Sequence, residues 1–284
     1  MKKLLLLLVV PLLCQCGGGF GGTSVKDSPA VLNVSGWDPK EVQRGGDRFS
    51  QHDVSAMRRN GALGLIARSA KGPLLDDKFS DFMASANREG LLLGAYHFVT
   101  LEQPAKLQAE NFVSRVRSVA RARGITGRKI LLVGDFDTKS SPDRLVDFIT
   151  RVEQLTGVTP VTYLENSAAL RTSLNNASPS QKRVMRRSPF WLALYGPAGT
   201  ERSMGGDLTP DELTRQYGVW DDWAMWQYGG VIWGNGRSQA KHYNTSSWRS
   251  PRYFGNMAHP MERNVFRGDL RDLQSFWNRH GLAL

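Results

Sequence analysis

Apolar and polar positions change period repeatedly along this chain. Short apolar runs at residues 31–37, 63–67, 91–99, 129–134, 161–164, 190–194, 223–228 and 261–266 predict eight strands. The run at 129–134 is apolar throughout, as in a strand covered on both faces. Helical spacing intervenes. Phe79, Phe82, Met83 and Ala86 share a face within residues 76–89, and Gly90 follows as a C-cap. Phe112, Val113, Val116 and Val119 do the same within residues 104–123. Ser141-Pro142-Asp143 is a helix start, with an N-cap hydroxyl, proline at N1 and an acid in the first turn. Leu145, Val146, Ile149, Val152 and Leu155 continue that helix to Gly157. Strands alternating with helices predict βαβ units and a mostly parallel sheet. Eight strands in roughly 250 residues predict an α/β fold, a TIM-like βα barrel. The helical pattern fades in the last third, so the barrel is expected to be irregular there. No repeat is visible, and one monomeric barrel domain at residues 30–284 accounts for the length.

The first residues read as an address. Lys2 and Lys3 precede ten apolar positions, residues 4–13, interrupted by Pro11. That is shorter than the ~20 residues a bilayer span needs and matches a secretory signal, residues 1–16. Residues 13–17, Leu-Cys-Gln-Cys-Gly, resemble a bacterial lipoprotein cleavage box with Cys16 as the lipidated residue, although Gln15 is a poor match before the cysteine. The plainer reading is a soluble exported protein that loses both cysteines with its signal. The anchored reading is preferred, because the Gly-rich residues 17–22 suit a tether and residues 17–29 a flexible linker. The expected location is the periplasm or cell envelope.

Composition narrows the partners. The 284 residues hold 37 Lys and Arg against 26 Asp and Glu, a net charge of +11. Loss of Lys2 and Lys3 with the signal gives 11 minus 2, or +9. A basic chain suggests nucleic acid, but no helix-turn-helix, RRM or zinc-finger signature is present. An anionic envelope suits an exported protein better. Cys14 and Cys16 are the only cysteines, so the body of the chain has no disulfide framework. No ligand cluster calls for a metal or other cofactor.

In a βα barrel, chemistry sits at the carboxyl ends of the strands. The fourth strand ends in Gly134-Asp135-Phe136-Asp137. Carboxylates two residues apart on an extended chain point the same way. Close carboxylates drive their pKa values apart, the requirement for acid-assisted glycosidic cleavage. Asp-x-Asp is also common in metal sites and solvated loops. The third strand ends in Tyr96-His97-Phe98, where His97 alone reads most simply as a core histidine. The seventh ends in Trp226-Gln227-Tyr228, whose aromatics suit either sugar stacking or the core.

Taken together the motifs resemble glycoside hydrolase family 25, the Chalaropsis-type lysozymes. Residues 32–37, Leu-Asn-Val-Ser-Gly-Trp, are similar to that family's first strand, Ile-Asp-Val-Ser-x-Tyr/Trp. Residues 52–72 resemble its second unit, and residues 90–98 its Gly-Leu-x-x-Gly-x-Tyr-His-Phe. Residues 108–112 resemble its Gln-Ala-x-x-Phe helix, and residues 135–137 its Asp-x-Glu. Residues 159–163, 191–195, 226–228 and 262–268 resemble its Pro-x-x-Tyr, Leu-Trp-x-Ala-x-Tyr, Trp-Gln-Tyr and Asp-x-Asn-x-Phe-x-Gly. These blocks run in order over residues 31–268.

The resemblance implies an N-acetylmuramidase that cuts the β-1,4 bond between N-acetylmuramic acid and N-acetylglucosamine in peptidoglycan. Asp137 takes the position of the proton donor, and Asp135 that of the group stabilising positive charge or orienting the substrate's acetamido group. Asn33 and Glu262 shape the site. Tyr96, His97, Tyr163, Tyr195, Trp226, Gln227 and Asn264 take substrate-binding positions. Of the family's four acidic positions only Asp135 keeps its residue: Asn33 replaces aspartate, Asp137 glutamate and Glu262 aspartate. Lys71 stands where the family often has glutamate, a cation that would favour charged carboxylates. Relative to the family, residues 38–51 and 229–260 contain insertions. Asp38 and Asp47 in the first offer a replacement carboxylate, and the second carries Trp233, Tyr243, Trp248, Tyr253 and Phe254. The altered acids leave a second hypothesis, a degenerate barrel that binds wall glycan without cutting it, and a weaker third, a hydrolase of another glycan.

Overall fold

The structure is a computed structural model that describes residues 27–38, 49–195, 208–230 and 262–284, together with the backbone of 232–234 and 237–239. The signal with Cys16, most of the linker, Asp47 and nearly all of residues 229–260 lie outside the described residues. In chain order the elements are β1 (Ala30–Val34), α1 (Gln51–Arg59), β2 (Ala62–Lys71), β3 (Leu74–Leu75), α2 (Phe79–Arg88), β4 (Leu92–Val99) and α3 (Ala105–Ala122). Then follow β5 (Lys129–Phe136), α4 (Pro142–Thr156), β6 (Val161–Leu164), α5 (Ala168–Asn175), α6 (Pro179–Arg187), β7 (Phe190–Ala193) and α7 (Pro210–Gln216). The chain ends with β8 (Met225–Gly229), β9 (Ile232–Gly234), β10 (Arg237–Gln239), β11 (Glu262–Phe266), α8 (Leu270–His280) and β12 (Gly281–Ala283).

Eight strands close a barrel in the order β1-β2-β4-β5-β6-β7-β8-β11 and back to β1. Neighbours from β1 to β8 are parallel. The last strand is the exception: β11 runs antiparallel to both β8 and β1. Helices are shorter late in the chain, as the fading pattern indicates. α7 has seven residues, and α8 follows the last barrel strand instead of joining two barrel strands. β12 pairs antiparallel with the start of β5, and β9 pairs with β10 apart from the barrel.

Local chemistry forms these elements. In α4 the Ser141 side chain accepts from the Arg144 amide, Pro142 opens the helix, and Gly157 ends it at φ 74°. α3 buries Phe112, Val113, Val116 and Val119 against the barrel.

Strand alternation divides the core into two shells. The outer shell, between strands and helices, holds Leu65, Ala67, Leu93, Ala95, Leu132, Leu164, Leu192 and Trp226. The inner shell holds Val31, Ile66, Leu131, Val133, Val161, Met225 and Phe266. Leu273 and Trp277 of α8 join the inner shell, and the Trp277 indole donates to the Leu93 carbonyl at 2.7 Å near the start of β4. The amino-terminal end of the barrel is therefore plugged, and the open end is where the parallel strands finish.

Removing the plug should be costly. Trp277→Ala is expected to lower stability by about 3–5 kcal/mol in urea unfolding. Leu74→Ser, at a side chain 69% exposed, should stay within about 0.5 kcal/mol.

Candidate active site

At the open end the inward positions turn polar. A cavity of ≈ 170 Å³ is lined by Asn33, Tyr96, Val133, Asp135, Tyr163, Glu165, Trp191, Tyr195, Gln227 and Glu262. Seven barrel strands or the residues just beyond them contribute. Glu262 belongs because β11 is reversed: its first residue lies beside Asn33 near the end of β1.

One hydrogen-bond network forms the wall. The hydroxyls of Tyr163 and Tyr195 donate to Gln227 Oε1 at 2.8 and 2.7 Å. That fixes the Gln227 amide, whose Nε2 donates to Asn33 Oδ1 at 3.0 Å. The Trp191 indole donates to Asn264 Oδ1 at 2.9 Å, and Asn264 Nδ2 donates to Asn33 Oδ1 at 2.8 Å and to the Val31 carbonyl at 3.1 Å. Two donors therefore meet on one Asn33 atom, which must be the oxygen. The Asn33 amide nitrogen is the polar group left to face the cavity. Burial raises the Tyr96 and Tyr163 phenols well above 10, keeping both as neutral hydroxyls.

Opposite stand the carboxyls. Asp135 is partly buried, and its Oδ1 is sealed from solvent with no hydrogen-bond partner. Burial pushes its pKa well above the usual range; Glu165, Glu262 and Asp137 push the same way, while the Arg68 guanidinium opposes them. Arg68 is held by Asp76, Nε to Oδ2 3.0 Å, and Asp76 also accepts the Gly36 amide at 2.6 Å. Glu165, just past β6, has its pKa raised by burial and then by Asp137. A Cβ on Gly230 would lie 2.5 Å from the Tyr195 hydroxyl and 3.0 Å from Glu262 Cγ, so a larger residue there would displace the Tyr195 side chain. Among the described residues no group of three or more His, Cys, Asp or Glu could hold a metal ion.

The model of glycosyl hydrolases family 25 matches residues 48–236. The chain belongs to that family. A bacterial lysozyme from Streptomyces coelicolor is similar in fold, with TM-score 0.56 and 19% identity over 89% of this chain and 98% of that one. A family 25 glycosyl hydrolase from Bacillus anthracis gives TM-score 0.57 and 17% identity over 93% and 100%. The Escherichia coli K12 protein YegX is 25% identical over 251 residues, 87% of this chain and 75% of its own.

Within this family 25 barrel, the cavity gathers Asn33, Asp135, Glu262, Tyr96, Tyr163, Tyr195 and Gln227 of the residues singled out in the sequence. Asn264 stands behind them, bonded to Asn33. Two expected substrate contacts require correction. His97 faces the outer shell, fully buried, with Nε2 3.2 Å from Gln108 Oε1 and its ring stacked near Phe148. Gln108 Oε1 also accepts the Thr100 amide, so the histidine nitrogen is the donor. Burial lowers the His97 pKa to about 4, making it a neutral core residue. Trp226 also points outward, its indole donating to the Leu194 carbonyl at 2.8 Å. Both are one residue out of phase with an inward neighbour, Tyr96 or Gln227.

Asp137 is absent from the cavity lining; its Oδ1 accepts the Lys139 amide at 2.8 Å. Asp38 is buried and accepts the Ser35 amide at 2.6 Å, so it braces the end of β1 and is not among the residues lining the cavity. Lys71 lies over the Phe98 ring, 5.3 Å from its centroid, and the cation that acts on Asp135 is Arg68. The sequence reading missed Arg68 and Glu165. Glu165 carries a recoverable signal, since it lies two residues beyond the inward Tyr163.

The Asp135 carboxyl holds its proton to higher pH in the folded chain than in the unfolded one. Native stability therefore falls as pH rises from about 4 through the folded pKa. Asp135→Asn is expected to raise Tm at pH 7 by roughly 2–4 °C, about 1 kcal/mol. The gain should vanish near pH 4, which thermal melts at the two pH values check.

Proposed function

We propose that this protein is an exported, lysozyme-like glycosidase that hydrolyses the β-1,4 bond between N-acetylmuramic acid and N-acetylglucosamine in peptidoglycan. One observation carries the reading. Three carboxyl groups, Asp135, Glu165 and Glu262, line one cavity walled by Tyr96, Tyr163 and Tyr195, inside a family 25 barrel. Tyrosine faces suit the apolar side of a sugar ring, and their hydroxyls suit its polar rim. A carboxyl whose pKa is driven upward, as at Glu165, keeps its proton to higher pH than usual and suits acid chemistry.

Each residue then has a task. Asp135 orients the substrate's acetamido group, a task its carboxyl can perform as a hydrogen-bond partner with its proton held. Its Oδ1 has no partner within the protein, which leaves it for a substrate group. Asn33, with its oxygen committed to the wall, offers its NH₂ to a substrate carbonyl or hydroxyl oxygen. Glu262 frames the other side of the sugar. Residues 1–16 direct export, with Cys16 as a lipid anchor, and the net charge favours an anionic envelope. Mass spectrometry of the mature N-terminus should find a lipidated Cys16.

The purified protein should clear sacculus suspensions and release muropeptides ending in N-acetylmuramic acid. Asp135→Asn should cut that rate on the order of a hundredfold or more. Retention on sacculi without any released product would replace hydrolysis by glycan binding.

A further inference from the structure

We propose that Glu165 at the end of β6, not Asp137 at the end of β5, delivers the proton to the glycosidic oxygen. The assignment rests on the glycosidase reading above. Glu165 lies two positions beyond Tyr163, and Tyr163 lines the cavity from the inward face of β6. Period-two alternation brings Glu165 to the same face one step nearer the mouth. There its side chain joins Asp135, Asn33 and Glu262 in the cavity lining.

Asp137 is placed differently. Asp135 is paired in register with Tyr163, so continuing the parallel register by two residues sets Asp137 beside Glu165. The two strand ends thus present an aspartate and a glutamate side by side. The aspartate is one methylene shorter, and its Oδ1 is occupied by the Lys139 amide. The glutamate is the one of the two that reaches the cavity. Its backbone is also fixed, because the Tyr217 hydroxyl donates to the Glu165 carbonyl at 2.6 Å and the Tyr217 ring is fully buried. The carboxyl is thus carried on an anchored main chain. Partial desolvation at the rim and the neighbouring Asp137 charge keep the Glu165 proton on to higher pH than usual, as a donor requires.

The step balances without any further reagent. The Glu165 carboxyl gives its proton to the bridging oxygen as the C1–O bond breaks, and the bonding electron pair stays on that oxygen. The leaving sugar departs as an alcohol, and Glu165 becomes a carboxylate. Water supplies the new C1–O bond, and its proton returns to Glu165. Hydrolysis is complete and the acid is restored.

A proton donor is needed in proportion to how poor the leaving group is. The test compares wild type, Glu165→Gln and Asp137→Asn on purified sacculi and on a 4-nitrophenyl β-glycoside of the same sugars. Nitrophenolate leaves without protonation. Glu165→Gln should lose 10²–10⁴-fold on sacculi, the range for general acid catalysis, yet stay within about tenfold of wild type on the aryl glycoside. Asp137→Asn, which removes one of the two influences that hold the Glu165 proton, should lose less than about tenfold on sacculi and match wild type on the aryl glycoside. Thermal melts should show both variants folded, since neither removed carboxyl is in the core. The assignment is overturned if Glu165→Gln matches wild type on sacculi, if it loses equally on both substrates, or if Asp137→Asn alone shows the leaving-group pattern. Wild type that is inactive on both substrates overturns the glycosidase reading itself, before any variant is made.

Discussion

The reversed strand β11 is the constraint on which the site depends. Seven strands run parallel and end at one rim, so each delivers side chains from its carboxyl end. The eighth must pair with β1 and β8 at once, and it does so antiparallel to both. Its first residue therefore lies where the others finish. Glu262 reaches the cavity from the start of a strand, and Asn264, two residues on, reaches the back of Asn33. A parallel β11 would put both near the plugged end, leaving Asn33 without one of its two donors.

Charge is distributed against the chain average. The protein is strongly basic, yet its cavity holds three carboxyls, and the guanidinium that acts on Asp135, Arg68, is already paired to Asp76. Each carboxyl makes its neighbours harder to ionise, and burial adds to that. A basic surface can draw the molecule toward an anionic polymer while the acidic cavity keeps protons available. The two properties are separable because the field of surface charges is screened over about 8 Å at physiological salt, whereas buried charges feel each other directly.

The barrel was legible from period and punctuation. The eight apolar runs are the eight barrel strands, and the Ser141-Pro142 start and Gly157 stop of α4 stand where the sequence puts them. The late helices were harder, since α8 does not connect two barrel strands and its role as a plug depends on tertiary packing. Within the site, motif matching found the correct strand ends but misread faces. His97 and Trp226 belong to recognisable motifs, yet alternation turns them into the outer shell beside Tyr96 and Gln227, which do enter the cavity. Glu165 and Arg68 belong to none of the matched acidic positions. They become visible only when Tyr163 and Ile66 are known to point inward and two residues are counted from each.

The Asn33 node carries an evolutionary consequence. Its oxygen is clamped by amide donors from Gln227 and Asn264, each held in turn by Tyr or Trp donors. A carboxylate oxygen would accept those two bonds in the same place. Exchange of NH₂ for O at this position changes the charge of the cavity and leaves every wall contact intact. A lineage with this scaffold can therefore drift between a charged and a neutral first-strand residue in one mutational step, without repacking. Selection on the chemistry of the cavity is thus uncoupled from selection on the fold.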